Sequence, residues 1–166
     1  MSHEPPLVAF LPDREVVLAA CEDVRHAYER DGHGAAMARF IALVMADGEL
    51  VEVYLRRPAP NPSAFGLPVG DDGTRGDPLP RNLRSCTTYE PDLERLRALG
   101  DRLVLAVGED SGDTLAAQAA RSVARALGGE AVVVVPGDHG GFMGVLHGRP
   151  AGRPAEFAAA LREMLG

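Results

Sequence analysis

Cysteine is scarce in this chain: there are two in 166 residues, Cys21 inside a helical pattern and Cys86 in a polar turn. Two thiols so placed are too few and too irregular for a disulfide framework or a zinc site, and both read as reduced. Long apolar runs are missing as well. None reaches the roughly 18 residues of a membrane span, and the start Met1-Ser2-His3-Glu4-Pro5-Pro6 lacks the basic and then apolar regions of a secretory leader. Basic clusters are absent too. A formal charge of -7 and a pI near 5.2 oppose nucleic acid, whose phosphates select grouped Lys and Arg. His26, His33 and His147 share no ligand spacing, so no metal or other cofactor is expected. These absences point to a cytoplasmic globular protein with neither nucleic acid nor membrane as partner.

What is present divides into two patterns. From Asp13, able to cap through its carboxylate, Val16, Val17, Ala20, Val24 and Tyr28 recur at near-helical spacing until Asp31-Gly32, predicting a helix over 13–30. Ala36, Met37, Phe40, Ile41, Val44 and Met45 repeat that spacing up to Asp47-Gly48, so an antiparallel helical hairpin is expected. Residues 49–57 fit neither period cleanly and are read as helix. The prolines and glycines between Arg57 and Pro78 require a long surface excursion. A short helix follows within 79–89, and Glu90-Pro91-Asp92 opens another with Leu93, Leu96 and Leu99 on its apolar side.

From residue 101 the pattern becomes α/β. Leu103–Val107 and Ala131–Val135 read as buried strands. The helix between them, opened at Asp113 or Thr114, carries Leu115, Ala119, Val123 and Leu127 on one face and stops at Gly128. Such a crossover makes the two strands parallel neighbours. Pro154 opens a final helix whose buried stripe is Phe157, Leu161 and Leu165. The expected division is residues 1–100 and 101–166. Two parallel strands leave two bare edges, so completion of the sheet by a homodimer, by another chain or by an upstream portion is expected.

Gly108-Glu109-Asp110-Ser111, Pro136-Gly137-Asp138-His139-Gly140-Gly141-Phe142 and the helix between them resemble the C-terminal half of α/β-hydrolase-fold proteins. His3-Glu4-Pro5-Pro6-Leu7 looks like the segment after that fold's sixth strand, and residues 13–99 look like its helical cap. The resemblance covers nearly the whole chain. It implies a partial α/β-hydrolase fold with a short parallel sheet, and acyl transfer to water from small esters, amides or related compounds. By its place after the last strand, His139 matches the family's catalytic histidine, which accepts a nucleophile's proton and passes it to the leaving group. The nucleophile itself is missing: no Gly-x-Ser-x-Gly exists, and Ser2, Ser63, Ser85, Ser111 and Ser122 all lack its strand-to-helix context.

The acid that orients His139 stays open. The family's Gly-x-x-Asp position is Ser111 here, so Glu109, Asp110 and Glu4 are the candidates. Against a catalytic part for Glu109 and Asp110 stands the plainer one of capping the helix at 113. Asp138 reads as a turn former. For His139 the plainer reading is a loop histidine bonded to nearby backbone, or a relic of an active ancestor. Phe142, Met143, Phe40, Met37 and Met45 read mostly as ordinary core. Three functions follow: an esterase-like component whose nucleophile lies on another polypeptide or an upstream portion, a non-catalytic dimeric module binding a small molecule or partner, and an enzyme using general acid/base chemistry alone.

Overall fold

A computed structural model describes residues 1–46, 54, 56–129, 132–146, 149–150 and 152–166. The chain forms two compact units. One is Leu7–Glu90; the other joins Met1–Pro6 to Pro91–Gly166.

In the first unit α1 (Arg14–Asp31) and α2 (His33–Val44) meet at Gly32, whose φ of 89° ends one helix and starts the next. Their apolar faces close on each other. Val24, Tyr28 and Ala36 are buried together, with Phe40 and Leu83 against them. Leu83 comes from α3 (Leu79–Thr87), within the segment expected to hold a short helix. Asp13 occupies the N-cap of α1, but its carboxylate bonds no helix N–H; its backbone carbonyl accepts from Val16 and Val17 instead. The helix read over 49–57 falls mainly outside the described residues, with Tyr54 and Arg56 helical.

The proline-rich excursion is tied down by polar contacts. Arg75 lies 5.6 Å above the Tyr28 ring and binds the Asp71 carboxylate, while the Tyr28 hydroxyl accepts from the Asp77 N–H at 2.9 Å. His33 meets the other end of Asp77 at 2.8 Å. Within the excursion Asn61 caps a single 3₁₀ turn, Pro62–Phe65. Met45 was expected to be core and is 69% exposed at the end of α2.

The second unit is built on a parallel sheet. β1 (Ser2–His3), β2 (Leu105–Gly108) and β3 (Val133–Val135) lie in the order β1-β2-β3. Ser2 pairs with Leu105 and His3 with Ala106, while Ala106, Val107 and Gly108 pair with Val133, Val134 and Val135. The sheet therefore has three strands where the apolar runs indicated two. β1 carries a serine and a histidine, which leave no apolar signal, and it joins by donating Ser2 N–H to Val104 and Glu4 N–H to Ala106. This pairing brings the first six residues into the sheet unit.

α4 (Leu93–Arg97) starts on the Asp92 carboxylate, which accepts from Glu94 and Arg95. α5 (Leu115–Ala126) connects β2 to β3 and buries its alanine-rich face on β2. Gly128, at φ 92°, ends it. α6 (Pro154–Leu165) seats Phe157, Leu161 and Met164 against Ala106 and Val135. Two further strands, β4 (Val145–Leu146) and β5 (Arg149–Pro150), make an antiparallel pair. Val133 and Val134 are both exposed, Val134 by 59%, since β3 is an outer strand. The run 131–135 is therefore buried only at its Val135 end among the described residues.

Gly152 packs the segment before α6 directly onto the loop after β3. A Cβ there meets the carbonyl oxygens of Gly140, Gly141 and Met143 at 2.6–2.8 Å. Gly152→Ala is expected to lower stability to urea by about 1–3 kcal/mol, the usual cost of overpacking. Equal unfolding midpoints for variant and parent would contradict this packing.

Candidate functional site

Three chain segments converge where the parallel strands end. β1 runs out at Glu4, whose φ of 43° places a non-glycine residue in the left-handed region. Such a conformation costs on the order of 1 kcal/mol and persists only where surrounding contacts enforce it. Here the contacts fix a charge. The Glu4 side chain is completely buried, its Oε1 accepts from the Gly108 N–H at 2.9 Å, and its Oε2 lies 3.0 Å from Nδ1 of His139.

Gly108 is where β2 ends, and its lack of a side chain is a geometric necessity. A Cβ there runs into the Gly137 carbonyl and comes within 2.6 Å of Ser111 Oγ and 2.7 Å of the Asp138 backbone. Because that space is open, the loop after β3 crosses the end of β2. The loop is then fastened on several sides. Glu109 N–H donates to Val135 at 2.9 Å, Asp110 N–H to Gly137 at 3.0 Å, and Arg153 N–H to Gly141 at 3.0 Å. Gly137 turns at φ 85°. Asp138 shapes the turn through its Oδ1, which accepts from the Gly140 N–H at 2.8 Å.

The electrostatics follow from this geometry. Burial by itself raises the pKa of Glu4, but hydrogen bonding to His139, the adjacent Ser111 hydroxyl and the Gly108 N–H outweighs burial and holds the carboxyl at about 2. Of these neighbours, Ser111 Oγ is buried without completing a hydrogen bond of normal geometry, so the weight rests on His139 and Gly108. An ionised carboxylate only accepts, so Nδ1 carries the proton in the pair and the neutral ring keeps its lone pair on Nε2. The hydrogen bond to Glu4 raises the pKa of His139 above its ordinary value, against desolvation. Its side chain is 65% exposed. The ring thus has a buried edge on the acid and remains open to solvent, an arrangement able to take up a proton and release it.

The other two candidate acids are not brought to the ring. Glu109 and Asp110 both bind Nη2 of Arg153, Asp110 at 2.9 Å, and Nη1 of the same guanidinium holds Glu156 at 3.2 Å. All four side chains are exposed to a third or more. Nor does either cap α5, whose N-cap is Thr114. A basic residue 43 positions downstream decided their place, and nothing local in the sequence announces it. Phe142, expected as core, is 57% exposed and edges onto Phe157 at 6.1 Å.

Two neighbours escaped the sequence reading. The His3 ring stacks on His139 at 5.8 Å and 24°, and touches Phe157 at 5.3 Å. Burial lowers its pKa, with Glu4 raising and His139 lowering it less strongly. Ser111 fills the space between Gly108 and the acid. Adjacency to Glu4 was the available signal for His3. Among the described residues no group of three or more His, Cys, Asp or Glu is arranged to hold a metal ion, and no helix is long and apolar enough to cross a membrane. Neither a family model, nor a curated protein, nor a solved structure matches this chain.

The pair has opposite signatures in stability. Glu4 binds its proton less tightly when folded, so its contribution is complete above about pH 4.5 and disappears as pH falls toward 2. That range corresponds to roughly 3 kcal/mol. His139 binds its proton more tightly when folded, so its contribution is complete below pH 6.5 and is lost as pH rises through the raised value. Denaturation followed across pH is expected to show both limbs, and Glu4→Gln to flatten both. A variant that keeps the acid limb at full size would show that another carboxylate produces it.

Proposed function

We propose that this protein is an α/β-hydrolase-like component in which His139 is the general base and Glu4 the acid that orients it, acting on a small ester or related acyl compound. The single observation that supports this reading is the buried Glu4 carboxylate bonded to Nδ1 of a solvent-open imidazole at the C-terminal ends of parallel strands. In such a pair the anion favours the imidazolium that forms when a proton is taken, and it fixes the tautomer that takes it. The chain's resemblance to the α/β-hydrolase fold belongs to the same reading. In this reading the helical unit Leu7–Glu90 would be the cap.

The attacking group is assigned to water or to a residue of another polypeptide. Among the described residues Glu4 is the only hydrogen-bond partner of His139, and no hydroxyl or thiol lies in a Gly-x-Ser-x-Gly context. A chain that completes the sheet at an outer strand, whether a second copy or a different polypeptide, is part of this proposal. That same absence of a nucleophile favours the alternative, a non-catalytic module of hydrolase ancestry binding a small molecule or a partner.

Hydrolysis of a short-chain chromogenic ester by the purified chain separates them. With water attacking, the rate is expected to rise with pH through the raised pKa of His139 and to fall about a hundredfold or more in His139→Ala, the usual contribution of a general base. Equal rates from the folded variant and the parent would remove His139 from the chemistry and leave the binding module.

A further inference from the structure

The imidazole of His3 has no part in the reading above. His3 is the last residue of β1, paired with Ala106 at the sheet's centre, and only 11% of its side chain is exposed. Its Nε2 is buried with no hydrogen-bond partner, 3.9 Å from Glu4 Oε1. At that distance the ring nitrogen and the carboxylate do not complete a hydrogen bond. Leaving a buried ring nitrogen unpaired is unfavourable, and a plain aliphatic residue would avoid it.

The ring's contacts give it a use. It packs on Phe157 at 5.3 Å and lies nearly parallel to His139 at 5.8 Å, with 24° between the planes. Phe157 belongs to the buried cluster with Ala106 and Val135, so the outer imidazole is connected through His3 to the rigid centre of the sheet. Otherwise His139 sits on a glycine-flanked loop and is held by one side-chain bond.

We propose that His3 is a positioning residue for His139: packed on both Phe157 and His139, its ring fixes the imidazole plane in which Nδ1 meets Glu4 and Nε2 stays open. The assignment deepens the dyad reading and rests on it. It requires His3 to remain uncharged while His139 works, because a second cation beside Glu4 competes for the same carboxylate. The charged or titratable groups that face His3 are Glu4, His139 and Asp138. Phe157 brings none from α6.

Imidazole proton and nitrogen NMR of the full chain across pH tests this in the parent, His3→Phe and His3→Ala. The phenyl ring keeps the stack without the nitrogens; alanine removes it. In the parent a protected Nδ1–H is expected on His139, with His139 titrating above 6.5 and His3 below it. His3→Phe is expected to retain both features of His139. His3→Ala is expected to lose the protected Nδ1–H and bring the titration back toward 6.5. A folded His3→Ala with an unchanged His139 overturns the proposal, as does a His3→Phe that loses as much as alanine. Where neither variant folds, the parent decides. His3 neutral throughout the titration of His139 supports the assignment, and His3 taking its proton first overturns it. A parent without the protected Nδ1–H defeats the dyad itself, an outcome distinct from an intact dyad indifferent to His3.

Discussion

A carboxylate taken wholly out of water must be given back by the protein the hydrogen bonds and opposite partial charge that water supplied, or it takes a proton and stays neutral. Glu4 is in that position, and much of the sheet unit is arranged around the compensation. The end of β2 offers the Gly108 N–H, and the loop after β3 offers the His139 ring. Each provider is itself fixed by backbone contacts that do not involve the acid, including those from Glu109, Asp110 and Arg153 to the loop. The strained φ of Glu4 belongs to the same constraint, since it directs the residue after β1 into this meeting point instead of continuing the strand.

Legibility in the sequence followed the range of the forces involved. Helices that pack a long apolar face were readable from spacing: α1, α2 and α5 fall within a few residues of expectation, and the glycines at 32 and 128 end helices as read. The parallel relation of β2 and β3 followed from the helix between them. β1 was not readable, because a strand of one serine and one histidine is defined by its partner's backbone and not by its side chains. Burial along β3 was misread for a related reason. Valines report an apolar segment, but only the tertiary arrangement decides which end of an outer strand is covered.

The pairing of His139 with Glu4 was hardly legible in local chemistry. His139 and Glu4 are separated by 135 positions, and no periodicity connects them. Glu109 and Asp110 had the more conventional placement after a strand, yet Arg153 claims both. With a neutral residue at 153, two adjacent carboxylates at the mouth of the loop would repel each other and have no common partner. The choice among three acids thus depended on a cation that sequence order places after the histidine, at the threshold of the last helix. Asp138, by contrast, was readable, since an aspartate before two glycines organises its own turn.

The Gly108 contact bears on how the pair handles a proton. Glu4 is grasped at Oε1 by a main-chain amide whatever the state of the imidazole at Oε2. When the ring gains or gives up its proton the anion need not swing, and few solvent dipoles have to reorient around it. Part of the cost of holding that anion is thus met by the backbone, independently of the imidazole.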